Sequence, residues 1–355
     1  MDAARLAQPI AIVGMGCRFP GGVTSPEAFW SLLAGGVDAI TELPPDRFDL
    51  DSLYDPDPEV AGRINSKWGG FVGGLDELDA DFFGISPREA RRLDPQQRLL
   101  LEVVYESLQD SGQVVEQVAG TRTGIFVGIS SHDASDSTAG PAYHALIDSH
   151  GVTATAAFSA ANRLSRLFNV IGPSLAVDTA CSSSLTALHL ARQSIENGDC
   201  DTAIVAGVNA IFAPDVFIAL AKARVLSPDG RCRSFDARAN GYVRGEGAGA
   251  IVLKPLARAI GDRDRIHAVL RATAANHDGR TPAFGMPSAE AQAAMFRDAI
   301  RSAGVGAAAV RYVEAHGTGT ATGDPIEAAA IGSVYGASRR SGEECLIGSV
   351  KTNIG

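Results

Sequence analysis

An apolar, strand-like run from Gly172-Pro173 ends in Asp178-Thr179-Ala180-Cys181-Ser182-Ser183-Ser184, and a helical pattern starts directly after it. Leu185, Leu188, Ala191 and Ile195 recur at helical spacing, and Asn197-Gly198 supplies a stop signal. A strand that passes straight into a helix is the building unit of α/β chains, so this junction constrains the fold strongly. It also gives Cys181 a chemical address, at or beside a helix N-terminus. Unsatisfied N–H groups and the positive end of the helix dipole favour an anion there. The thiolate is the nucleophilic form of cysteine, and small Ala and Ser neighbours leave room for an acyl group to approach. Cys17, Cys200, Cys232 and Cys345 read instead as small buried apolar residues.

The rest of the chain repeats the alternation of strand and helix. Ile10-Ala11-Ile12-Val13, Gly124 to Ile129, Thr202 to Val208 and Gly249 to Lys254 read as strands of a first half. Phe29 to Leu33 reads as a short helix. Asp94-Pro95-Gln96-Gln97 opens a longer one through Leu108, with Asp94 as N-cap and Pro95 at the first helical position. Residues 44–72, rich in Asp, Pro and Gly, read as a long ordered loop, and residues 130–140 as a polar loop. A charged junction over residues 255–265 separates the first half, residues 9–255, from a second, residues 256–355; residues 1–8 form a tail. Ile266 to Ala275 begins the second half, in which Val310 to Ala315 and Leu346 to Lys351 read as strands and Ala289 to Ala303 as a helix.

Composition narrows the function classes. A net charge of −10 over 355 residues argues against a nucleic-acid groove, although Arg88, Arg91, Arg92 and Arg98 cluster locally. Five cysteines without Cys-x-x-Cys spacing indicate neither a disulfide framework nor a zinc site, and fit a reducing cytoplasm. His132, His144, His150, His189, His267 and His277 show no metal-ligand spacing, so no metal is expected. The N-terminus has no signal-peptide core, and the most apolar stretch falls short of the ~20 residues that span a bilayer. Gly14-Met15-Gly16-Cys17-Arg18-Phe19 follows a strand but has Phe where the dinucleotide fingerprint needs its third Gly.

A second chemical segment is Glu314-Ala315-His316-Gly317-Thr318-Gly319-Thr320-Ala321-Thr322-Gly323-Asp324-Pro325-Ile326-Glu327. His316 falls at a strand end, where a Gly/Thr loop begins. Asp324, Pro325 and Glu327 read as N-cap, first-turn proline and first-turn carboxylate of a helix. A third is Gly348-Ser349-Val350-Lys351-Thr352-Asn353-Ile354-Gly355, in which Lys351 is expected to end an apolar strand. An ammonium placed there needs a partner or an electrostatic role.

Together with Phe82-Phe83-Gly84-Ile85-Ser86-Pro87-Arg88-Glu89 and Leu93-Asp94-Pro95-Gln96-Gln97-Arg98, these segments make the chain resemble the β-ketoacyl synthase domain of modular type I polyketide synthases, from Pro9 to Gly355. The resemblance implies a thiolase-like α/β fold of five αβαβα layers, made of two similar halves and assembled as a homodimer. It implies decarboxylative Claisen condensation between acyl groups carried on the phosphopantetheine arms of acyl carrier proteins, with no cofactor bound directly. Cys181 would take the acyl chain as a thioester, and His316 would stabilise the enolate of a malonyl-type extender. Lys351 would support the site electrostatically, and Thr318 and Thr320 would lie near the pantetheine arm. The family places a second catalytic histidine directly after the Lys-Thr-Asn-Ile-Gly run and a glycine-rich segment later. The sequence stops at Gly355, so the expectation is an incomplete second half. The alternatives are then an acyl-accepting module that does not condense, or an inactive fragment. A thiolase or cysteine hydrolase suits the histidine loop and the Lys351 run less well.

Overall fold

The structure, a computed structural model, describes residues 8–133, 149–336, 339–340 and 342–355. The tail over residues 1–7, the expected loop beyond Asp133 and His144 lie outside these residues. Eight strands frame the architecture: β1 (Ile10–Arg18), β2 (Thr123–Gly128), β3 (Ser174–Val177), β4 (Thr202–Asn209), β5 (Gly247–Pro255), β6 (Ala268–Leu270), β7 (Tyr312–Glu314) and β8 (Leu346–Gly348). The first six form one mixed sheet in the order β3-β2-β4-β5-β1-β6. β2 runs parallel to β3 and β4, whereas β5 is antiparallel to β4 and β1, and β6 is antiparallel to β1. β7 and β8 pair in parallel as a separate two-stranded sheet.

Five helices position the site: α1 (Pro95–Asp110), α2 (Ala157–Leu167), α3 (Ser183–Asn197), α4 (Ala289–Ala303) and α5 (Gly323–Ile331). α1 starts as its sequence dictates, with Pro95 in the first turn and the Asp94 carboxylate accepting the Gln96 N–H at 2.8 Å. α1 and α2 pack on one face of the large sheet and α3 on the other, so the sheet is buried on both sides. Its central strands accordingly read as continuous apolar runs. The Gly14-Met15-Gly16 segment lies inside β1 and serves packing. A Cβ at Gly16 would sit 2.6 Å from the Val103 carbonyl oxygen, so glycine lets the α1 backbone approach the strand. α4 and α5 cover β7 and β8 around Ala293, Ala315, Ala330 and Ile331.

The segment from Ile266 that begins the second half contributes β6, a three-residue edge strand paired with β1 of the first sheet, with Leu270 opposite Ile10. It is drawn there because β1 offers a free edge, the His267 N–H donates to the Ile12 carbonyl, and the His267 ring meets Asp110 at 2.7 Å. Two local expectations are corrected. Lys351 does not end a strand: β8 stops at Gly348, and Lys351 opens the helical turn Lys351–Ile354. Asp324 is not an N-cap either. α5 begins at Gly323 behind Thr322, and the Asp324 carboxylate turns back toward the histidine loop. The excursion over residues 44–72 contains a short helix, Leu50–Leu53, and a strand, Trp68–Gly70, which joins Thr41–Glu42 and Arg244–Gly245 in a small sheet. Among the described residues no helix is long and apolar enough to cross a membrane.

Candidate active site

Cys181 is exposed two residues before the first residue of α3, on a sharp strand-to-helix turn. Ala180 before it adopts φ = 55°, a left-handed conformation uncommon for a residue with a Cβ. Short local bonds hold it there. The Asp178 carboxylate accepts the Ala180 N–H at 2.9 Å, Ser183 Oγ accepts the Thr179 N–H at 2.9 Å, and the Ser183 hydroxyl donates to the Ala180 carbonyl at 2.6 Å. The helix start rests almost directly on the sheet at two glycines that face each other in register, Gly128 of β2 and Gly207 of β4. A Cβ at Gly128 would sit 2.5 Å from the Ser184 amide nitrogen, and one at Gly207 would overlap Ser184 Oγ. Backbone seated on backbone fixes the height of the turn that carries Cys181. As expected, α3 ends at Gly198, in the left-handed conformation at φ = 77°.

His316 begins a loop at the end of β7 that is held by two carboxylates of α5. Glu327 accepts the backbone N–H groups of His316 and Gly317 at 2.7 and 2.8 Å, one per oxygen. Asp324, buried, accepts those of Phe235 and Gly319 at 2.6 and 3.1 Å. Charge-assisted bonds of this kind are shorter and stronger than neutral ones. Gly317 must be glycine: it lies at φ = 45°, and a Cβ would be 2.7 Å from that of Ser349. The His316 ring keeps an exposed edge. Partial burial holds the imidazole below its ordinary range, and the Lys351 charge pushes it further the same way, against weaker opposition from Glu327 and Asp324. The imidazole is therefore neutral at physiological pH, with one N–H to donate.

Thr318 and Thr320 hydroxyls hydrogen-bond each other at 3.1 Å, and Thr320 Oγ1 also accepts the Gly323 N–H at 3.2 Å. Lys351 sits on the terminal turn, which is docked onto the first half. The Ala39 N–H donates to the Asn353 carbonyl at 2.8 Å, and the Asn353 amide donates to the Val37 carbonyl at 2.9 Å. Lys351 forms no ion pair among the described residues; its charge acts on His316 and on the buried thiol of Cys232.

The Lys351 charge acts on the His316 ring, and Thr318 and Thr320 are joined by their hydroxyls; Cys181 lies on a separate turn of the first half. Sequence reasoning missed Gly128 and Gly207, and gave Asp324 and Glu327 the wrong task. The glycines were readable as single Gly residues inside otherwise apolar strands, which mark close backbone approach. Among the described residues no group of three or more His, Cys, Asp and Glu side chains is placed to hold a metal ion.

The β-ketoacyl synthase N-terminal domain matches residues 7–259, and the C-terminal domain of the same family matches residues 267–355. The chain belongs to the β-ketoacyl synthase family, and its fold is thiolase-like. Within the family it is similar to ketosynthases of modular polyketide synthases. One polypeptide of the phenolphthiocerol/phthiocerol polyketide synthase of Mycobacterium tuberculosis (strain CDC 1551 / Oshkosh) is 51% identical over 351 residues, covering 99% of this chain and 19% of the relative. Another polypeptide of that synthase, from the same strain, is 47% identical over 350 residues, covering 99% and 22%. The oxazolomycin ketosynthase domain of Streptomyces albus JA3453 superposes with a TM-score of 0.89 at 40% identity, covering 98% of this chain and 59% of that one. The ketosynthase from module 6 of the bacillaene synthase of Bacillus subtilis 168 gives 0.87 at 38% identity, with 98% and 57% covered. The chain therefore spans about a fifth of the length of these curated relatives and under three-fifths of the solved ketosynthase chains.

Proposed function

We propose that this chain carries the acyl-loading and enolate-stabilising groups of a β-ketoacyl-[acyl carrier protein] synthase of polyketide type. The observation that carries the reading is the exposed Cys181 on its strained turn at the start of α3, together with the neutral His316 on its carboxylate-held loop. Cys181 Sγ attacks the thioester carbonyl of an acyl chain on a phosphopantetheine arm, and the pantetheine thiol leaves with the proton that Cys181 gives up. A malonyl-type extender on a carrier protein then loses CO₂, leaving its bonding electron pair as an enolate. The His316 N–H donates to the enolate oxygen, where negative charge develops. The enolate carbon attacks the Cys181 thioester, the C–S bond breaks, and the Cys181 thiolate departs. Lys351 disfavours a protonated imidazole and so keeps His316 a neutral donor. Thr318 and Thr320 offer paired hydroxyls to the amide groups of the pantetheine arm, which is carried by the partner protein and is not a resident cofactor.

Edge strand β3, with Leu175 exposed, supports a homodimer in which two copies cover this edge. Five free cysteines support a reducing, cytoplasmic setting. The test uses the full protein with acyl and malonyl carrier proteins, followed by intact-mass spectrometry. Cys181→Ala should take up no acyl group. His316→Ala should still be acylated, while its condensation rate falls by about 10²–10³, the usual loss for one preorganised donor. Acylation without any carbon–carbon bond formation in the wild type would favour a non-condensing acyl acceptor instead.

A further inference from the structure

A cavity of about 410 Å³ opens beside α2, which packs on the face of the large sheet opposite α3 and its Cys181 turn. Three of its walls are apolar: Phe83 and Leu101, both buried, and Phe158, half exposed. α2 adds Ser159, Arg163 and Arg166, whose spacing of four and then three residues puts them on one helix face. Ala160, Ala161 and Leu164 of the same helix enter the core instead.

The polar groups on this face are only partly used. Ser159 is buried, and its hydroxyl has no hydrogen-bond partner among the described residues. Helical serines commonly donate to a carbonyl three or four residues back, and buried hydroxyls are normally satisfied. Ser107 and Ser111 at the end of α1 do so at 2.8 and 2.6 Å, and Ser165 of α2 itself at 3.2 Å. Arg163 is fully committed. It pairs with Glu89 and donates to the Gln97 side chain at 2.8 Å and to the Thr153 carbonyl at 3.1 Å. Arg166, one turn further along and exposed, makes no ion pair or hydrogen bond among the described residues. The cavity therefore combines apolar walls, a buried hydroxyl without a partner and one uncompensated positive charge. Apolar cavities of about 300–1,000 Å³ with a few converging polar groups are the ordinary form of small-molecule sites.

We propose that this cavity is a second binding site, separate from Cys181, for a medium-chain monoanion that carries a further oxygen. The carboxylate meets Arg166, the chain lies against Phe83, Leu101 and Phe158, and the far oxygen hydrogen-bonds the Ser159 hydroxyl. Seven helical residues separate Ser159 from Arg166, a rise of about 10 Å, roughly the length of an extended eight-carbon chain. Such binding needs nothing from Cys181 or His316.

The test titrates 8-hydroxyoctanoate, octanoate and 1,8-octanediol by calorimetry into the full protein with Cys181 capped by iodoacetamide. The wild type should bind 8-hydroxyoctanoate about two- to tenfold more tightly than octanoate, the worth of one hydrogen bond, and more tightly than the uncharged diol. Ser159→Ala should erase the preference between the two acids without lowering the melting temperature, because it deletes a hydroxyl that holds nothing in the protein. Arg166→Gln should weaken both acids about two- to fivefold and leave the diol unchanged. The proposal is overturned if no probe binds, if the wild type binds the two acids equally, or if either variant leaves the affinities unchanged. A lowered melting temperature in Ser159→Ala overturns it as well, since the hydroxyl would then serve the fold.

Discussion

The turn that carries Cys181 and the loop that carries His316 solve the same problem, fixing a side chain just past the end of a strand, by opposite means. At Cys181 the positioning is steric. Gly128 and Gly207 remove two side chains so that the α3 start sits on the sheet, and small residues and hydroxyls fold the turn locally. At His316 it is electrostatic. Two carboxylates from the next helix gather four backbone N–H groups, and the loop takes the shape that those bonds require. The difference suits the chemistry proposed for the two residues. A nucleophile that must be acylated needs open space around it and few polar neighbours. A donor that must stay neutral tolerates carboxylates bonded to its backbone, because burial and the Lys351 charge outweigh their pull on the ring.

The steric half of this contrast is the easier to break. Gly128→Ala puts a methyl group 2.5 Å from the Ser184 nitrogen, a backbone atom that can yield only if α3 shifts. Overpacking of this kind costs about 1–3 kcal/mol, and a displacement of about 1 Å at a reacting group costs about 10² in rate. Acylation of Cys181, followed by mass, should slow by about two orders of magnitude with a lowered melting temperature. Gly249→Ala is the control. It lies in the same row of the sheet, opposite Gly207, yet its nearest new contact is the Phe19 ring at 3.5 Å, an ordinary distance. Equal losses in the two variants would show that glycine matters here for strand flexibility and not for seating the helix.

How much of this was legible beforehand follows from how local each signal is. The α1 start, the α3 stop and the span of α4 rest on caps, prolines and glycines within a few residues, and the structure keeps them. The places of Cys181 and His316, just past strand ends beside small residues, were legible for the same local reason. The tasks of Asp324 and Glu327 were not. Their spacing before an apolar run is that of a helix cap, and only the tertiary fold, which brings Phe235 and the loop back over α5, offers them stronger donors than their own helix does. The pairing of β6 with β1 was not legible for a similar reason: nothing in its own residues says which sheet holds an open edge.

The electrostatic half predicts a smaller effect. Asp324→Asn keeps the size of the side chain but turns one acceptor into a donor, facing the N–H of either Phe235 or Gly319. A buried donor left unpaired costs about 1–3 kcal/mol. The melting temperature should fall, and condensation should drop about tenfold while acylation of Cys181 continues, because the turn at α3 does not depend on α5. Loss of acylation in step with condensation would mean that the two regions are not built independently.

The smallest effect is a change in titration. Lys351 is the second cause, after burial, of the lowered His316 value, so Lys351→Met should move the imidazole back toward the ordinary 6.5 without reaching it, since burial remains. The sign for stability follows. With its native value below 6.5, His316 binds fewer protons in the folded than in the unfolded protein between that value and 6.5. Its contribution to stability is therefore complete above about pH 6.5 and is lost as the pH falls through that window. In Lys351→Met the window narrows, so stability should depend less steeply on pH below neutrality. The acid limb of the condensation rate, set by protonation of the His316 donor, should shift to higher pH. An NMR titration of the His316 ring, read beside melting curves across the same range, measures both. An unmoved titration would remove Lys351 from the field of His316 and leave burial alone to keep the donor neutral.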